Sequence, residues 1–248
     1  MMCYGSGMDR RNFNRVCSGL LAGAAGLSAG VGSKAAIARD YARARLMFSN
    51  GSPVRADALD IGSSHVFSYP YVATPCFLLR LNPGVTGSNT LADQHGNEYQ
   101  WQGAAGEDAS IVAFSAICTH KMTHPAKPIS HLNFRPENKT VHLRDGSKSE
   151  RKQLIYCCSE HSVYDPARGA EVLRGPATQP LAAIRLEVDD DGGLVATGSY
   201  GGDMYAPFLA KFGFRQALER GLSDPEQQVG NETQVTLASE YSNQQILC

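Results

Sequence analysis

Cys118-Thr119-His120 and Cys158-Ser159-Glu160-His161 are the two segments around which this chain is organised. They supply two thiols and two imidazoles, as C-x-H and then C-x2-H, separated by residues 121–157. Structural zinc sites usually space their ligands as a C-x2–4-C pair and an H-x3–5-H pair. Mixed Cys/His pairs on two separate loops fit that spacing poorly, so a Cys2His2 zinc domain is the secondary metal reading. The flanks carry signal too. Ile111-Val112-Ala113-Phe114-Ser115 leads into the first pair, and Ser162-Val163-Tyr164-Asp165-Pro166 and then Gly175-Pro176-Ala177 follow the second.

Histidine takes the place of cysteine on one iron of a [2Fe–2S] cluster in the Rieske arrangement, where each loop gives one Cys to one iron and one His to the other. On the two ligand pairs, the Ser162–Pro166 segment and the Gly175-Pro176-Ala177 loop, the chain resembles Rieske iron–sulfur proteins across residues 50–200. The resemblance implies an all-β Rieske fold, with a β-sandwich base and an inserted cluster-binding subdomain at residues 111–178. It implies Cys118, His120, Cys158 and His161 as ligands of a [2Fe–2S] cluster. Ser162 and Tyr164 match the residues that donate hydrogen bonds to the sulfurs and stabilise the extra electron. Respiratory relatives join the two loops with a disulfide, but here those positions hold Thr123 and Glu160, so that bridge is expected to be absent.

The register of the second loop has a rival. Family members place one residue between the ligand His and the Ser, whereas Ser162 follows His161 directly. A gapless match anchored on Ser162–Pro166 would put Cys157 and Glu160 at the ligand positions. Glu is a poor substitute for imidazole and C-x2-H is intact from Cys158, so Cys158 and His161 are kept, with Cys157 a spare strand thiol.

The chain has 248 residues, 42% of them hydrophobic, which suffices for one good core or a domain with tails. A formal net charge of −1 offers no global field for nucleic acid or an acidic membrane. No histidine follows His161, so the chain cannot build the mononuclear two-His, one-carboxylate iron site of a Rieske oxygenase. No nucleophile constellation or phosphate-binding loop is visible, and no substrate chemistry is expected of this chain by itself.

Asp9-Arg10-Arg11-Asn12-Phe13-Asn14 resembles a twin-arginine export signal, with an uncharged run from Val16 to Gly32 and a small-x-small cleavage candidate at Ala36-Ile37-Ala38. Residues 1–38 are read as a signal, or as an N-terminal anchor where uncleaved, although 17 apolar residues fall short of the ~20 that span a bilayer comfortably. Export of a folded cluster protein implies a periplasmic address. Residues 39–60 read as a linker, residues 61–202 as the Rieske domain and residues 203–248 as a C-terminal extension. In that extension Phe208, Leu209, Phe212, Phe214 and Leu218 suit an amphipathic helix, followed by a polar tail. Asp189-Asp190-Asp191-Gly192-Gly193 is expected to turn a hairpin.

The insert should project an extra hairpin near the cluster. It carries eight Lys or Arg against three acidic residues, a surface suited to docking an acidic redox partner. His124, His131 and His142 read as residues of the insert's surface. Among Rieske proteins the resemblance is to the small subunit of arsenite-oxidase-type molybdenum enzymes. It implies single-electron transfer between a larger catalytic subunit and a periplasmic cytochrome or similar carrier. The rival is the Rieske subunit of a quinol–cytochrome c oxidoreductase.

Overall fold

The computed structural model describes residues 38–84 and 89–248. Its first strands are β1 (Ala38–Phe48), β2 (Ser64–Ser68), β3 (Pro75–Arg80), β4 (Asn89–Ala92), β5 (Glu98–Trp101) and β6 (Ile111–Ser115). The insert adds β7 (Leu132–Arg135), β8 (Lys139–His142), β9 (Lys148–Arg151) and β10 (Leu154–Cys157). Then follow β11 (Ser162–Asp165), β12 (Glu171–Arg174), β13 (Ala183–Val188) and β14 (Leu194–Tyr200), with α1 (Tyr205–Arg220), β15 (Glu232–Leu237) and the short α2 (Ala238–Tyr241) at the end.

Seven strands close a barrel in the order β1-β14-β13-β6-β3-β2-β15, and four form a separate sheet in the order β12-β11-β10-β7. The all-β class and the inserted subdomain agree with expectation. The base closes because β15 fits between β1, in parallel, and β2, antiparallel. That closure corrects two boundaries. The expected linker 39–60 contains β1, and the expected extension 203–248 supplies β15. Arg43 and Arg45 hid the alternation of β1: they turn outward to Glu187 and Asp191, while Ala44 between them and Leu46 after them are fully buried. The 189–193 turn does close a hairpin, with Val188 opposite Leu194.

Two strands serve two cores at once, because successive side chains point to opposite faces. Cys76, Leu78, Ile111 and Ala113 pack with residues from the other barrel strands. Their neighbours Phe77, Leu79, Val112 and Phe114 pack outward with Leu132, Phe134, Ile155, Cys157 and Tyr164 of the small sheet. Nearly continuous apolar sequence in β3 and β6 is thus buried on both faces. Each such side chain contributes ~1.5–3 kcal/mol, and their second face holds the small sheet in place.

The helix α1 begins at Tyr205 and ends at Gly221, which takes the left-handed conformation of a C-cap. Tyr205, Phe208 and Leu209 cluster with Ala73 and with Ile117 of the first loop. Phe214 and Leu218, expected on the packed face, are 78% and 68% exposed. His124, expected on the surface, sits edge-on to Phe208 and Phe212 at 4.8 and 4.9 Å between ring centres.

Candidate metal centre

Two loops meet at the small sheet, and their backbones match. The Met122 amide donates to the Cys118 carbonyl at 2.9 Å, and the His161 amide donates to the Cys157 carbonyl at 2.7 Å. Met122 and His161 both have φ of 60°, the left-handed region that costs a side-chain-bearing residue about 1 kcal/mol or more. Four residues after a buried cysteine, each loop closes the same way. The counterpart of Cys118 is therefore Cys157.

The side chains follow the backbone. Cys118 and Cys157 are fully buried, and their thiols are hydrogen-bonded to each other. That bond from Cys157 draws Cys118 down to about 6 against the burial that opposes ionisation, and Cys157 is raised by the same partnership. Amides of His120 and Lys121 donate to the Cys118 sulfur, and the Glu160 amide donates to that of Cys157. The Tyr164 hydroxyl lies 3.2 Å from Cys118 Sγ and accepts the Thr119 amide at 3.2 Å. Burial lifts the Tyr164 pKa far above the ordinary phenol range, so its proton stays available to the sulfur.

His120 comes to the same site, with its Nδ1 buried and without a hydrogen-bond partner. Glu160 Oε2 is 3.5 Å from that nitrogen and 3.3 Å from Lys121 Nζ. The other two expected ligands are placed elsewhere. Cys158 is disulfide-bonded to Cys248, so its sulfur has no thiolate to offer. His161 is exposed. Strand alternation gives the reason: Ile155 and Cys157 share the face turned to the core, and a slip of one residue moves a side chain to the opposite face. The next residue, Cys158, faces the C-terminal tail, where Ile246 bonds Ser130 and the Asn133 side chain bonds the Ile246 carbonyl.

Thr123, at one of the positions where respiratory relatives carry a bridging cysteine, bonds the Cys157 sulfur. Ser162 is fully buried, and its hydroxyl accepts the Ala177 amide at 3.1 Å. This ties the Gly175-Pro176-Ala177 loop over the site. Gly175 (φ 89°) is required there, since a Cβ would lie 2.5 Å from both the His161 carbonyl oxygen and Ser162 Cα. From the insert, Arg144 holds the same loop through the carbonyls of Gly175 and Ala177.

This arrangement suits an iron–sulfur cluster. Two sulfurs with amide and phenol donors can hold one iron. The orphaned His120 nitrogen can bind a second. With Cys158 in the disulfide and His161 exposed, two of the four residues of the Cys2His2 zinc reading lie away from Cys118 and His120. Sequence reasoning set aside Cys157 and Glu160, which surfaced in the gapless match from Ser162, named Thr123 only as a position without a bridging cysteine, and gave Arg144 no role beyond the insert's charge.

No family model matches the chain. Over 123 residues it is 31% identical to the cytochrome bc1 complex Rieske iron–sulfur subunits of Streptomyces lividans and Streptomyces coelicolor. That stretch is 50% of this chain, 54% of the first relative and 26% of the second; the chain therefore spans about half the length, or less, of these curated relatives. The soluble domain of Rieske protein II from Sulfolobus acidocaldarius is similar at 23% identity, with a TM-score of 0.42 over 65% of this chain and 81% of that one. The chain is a homologue of Rieske iron–sulfur subunits, proteins that carry a [2Fe–2S] cluster and transfer electrons.

Proposed function

We propose that this chain is an exported Rieske electron-transfer subunit that passes single electrons between a larger oxidoreductase partner and a periplasmic cytochrome or similar carrier. The observation that carries this reading is the buried Cys118–Cys157 pair under the Tyr164 hydroxyl, gripped between two matched loops. Cys118 and Cys157 would hold the inner iron of a [2Fe–2S] cluster and His120 would contribute to the outer one; the group would supply one-electron chemistry there. Tyr164 and the loop amides donate to the sulfurs and favour the reduced state. The half-exposed His120 lies on the side from which a partner can approach.

The twin-arginine segment and periplasmic address fall on residues 1–37, outside the described residues. Among the described residues no helix is long and apolar enough to cross a membrane. A molybdenum-type catalytic partner rests on the resemblance to arsenite-oxidase small subunits. The similarity to the cytochrome bc1 complex Rieske subunits of Streptomyces supports a second reading, the Rieske subunit of a quinol–cytochrome c oxidoreductase.

EPR of the dithionite-reduced protein tests the centre: a rhombic signal of low average g is expected. An EPR-silent protein with full iron loading would remove the electron-transfer reading. Molybdenum in the co-purified complex, or reduction by a quinol, then separates the two partners.

A further inference from the structure

We propose that Glu160 supplies the fourth ligand of the cluster, so that the outer iron is held by one imidazole, His120, and one carboxylate. This rests on the cluster reading above and names the ligand which that reading leaves open.

Four observations converge. The matched amide bonds make Cys157 the equivalent of Cys118, and the Cys158–Cys248 bridge removes the competing thiol. With Cys157 as the inner ligand, the second loop offers Glu160 three residues on. The Glu160 carboxylate and the orphaned His120 Nδ1 are 3.5 Å apart. Two ligands ~2.1 Å from a shared tetrahedral metal sit ~3.4 Å apart, so the pair is spaced as two ligands of one iron.

His161 is barred from the role by its backbone. Its carbonyl lies under Gly175 at a distance that admits no Cβ, and its amide is committed to Cys157. Bringing its ring inward would mean rebuilding the turn between the directly paired Cys157 and Ser162. The alternative use of Glu160 is its ion pair with Lys121, whose side chain is 62% exposed. Pairs of that kind contribute little, and they do not call for a buried imidazole nitrogen left without a partner.

Carboxylates are established ligands of non-haem iron. An anionic oxygen in place of a neutral imidazole makes the oxidised centre relatively more stable. The inferred centre therefore has a lower potential than one with two imidazoles, and suits a more strongly reducing donor.

The test is pulsed EPR of the reduced full-length protein, counting strongly coupled imidazole nitrogens. One is expected. Glu160→His should raise the count to two and raise the potential, while His161→Ala should leave the count at one. Two coupled nitrogens in the parent, or loss of one in His161→Ala, would overturn the assignment while leaving the electron carrier intact. Iron-loaded protein without any [2Fe–2S] signal would overturn both.

Discussion

Cys157 faces Ser162 as its direct partner across the β10–β11 hairpin, which places Cys158 in the turn, where it is disulfide-bonded to Cys248. Cys157→Ser should therefore abolish the cluster's visible absorption and acid-labile sulfide. Cys158→Ser should keep both and lose stability. The bridge spans 90 residues, and such cross-links stabilise by ~2–4 kcal/mol. Denaturant unfolding of Cys158→Ser, compared with iron content, checks both halves. Loss of cluster on removing Cys158 alone would restore the C-x2-H register.

Tyr164→Phe should lower the reduction potential without removing the cluster. The hydroxyl lies beside Cys118 Sγ and also accepts the Thr119 amide, so its removal leaves a buried donor unpaired at a cost of ~1–3 kcal/mol. Redox titration followed by EPR, alongside thermal unfolding, reads the two effects. An unchanged potential would mean that the phenol donates to Thr119 Oγ1, 3.3 Å away, instead of to the sulfur.

How far the sequence could be read depended on which interactions were local. The apolar runs of β3 and β6 and the 189–193 turn depend on neighbouring residues, and both were legible. The choice between Cys157 and Cys158 depends on which face of β10 meets Phe114 and Leu132, a tertiary fact. Spacing alone favours C-x2-H. The tail was harder still, since β15 pairs with β1 almost two hundred residues away in sequence. Nothing near Cys248 signals its bridge to Cys158.

Gly175→Ala should destabilise the cluster-binding subdomain. The added methyl would meet the His161 carbonyl and Ser162 Cα, both backbone atoms, at a positive φ. A Gly→Ala change with incompatible φ costs more than the ~0.4–1 kcal/mol it yields at compatible sites. Displacing this loop also breaks the Ala177 amide bond to Ser162. Lower denaturant resistance together with a broadened EPR line is the expected result. A sharp parental line would mean that the loop moves without disturbing the site.

Burial holds the His124 pKa below 6.5, so the folded protein keeps this imidazole neutral while the unfolded chain takes up a proton first. Stability from this source is complete above the unfolded value and declines as pH falls below it toward the depressed folded value. His65 is lowered by burial in the same way. His124→Gln should therefore flatten, without abolishing, the loss of thermal stability below about pH 6.5. Its Gln216 partner, 3.2 Å from Nε2, gives a control: Gln216→Leu should lower stability at all pH values and leave the slope.

The basic insert is less uniform a surface than its charge suggests. Arg135 pairs with Glu137, Lys139 reaches the Cys248 carbonyl, Arg144 holds the Gly175 loop and Arg151 approaches Asp165 at 3.7 Å. Lys148 and Lys152 are exposed on the β8–β9 hairpin and its exit. If an acidic carrier docks there, Lys148→Glu with Lys152→Glu should slow stopped-flow electron transfer by up to ~10-fold at low ionic strength. The deficit should vanish near 1 M salt, where charges are screened beyond ~3 Å. The cluster's EPR signal should not change, because neither lysine contacts the ligand loops. An unaltered salt dependence would move the docking face to the exposed side of the Cys118–Lys121 loop, nearer the half-exposed His120.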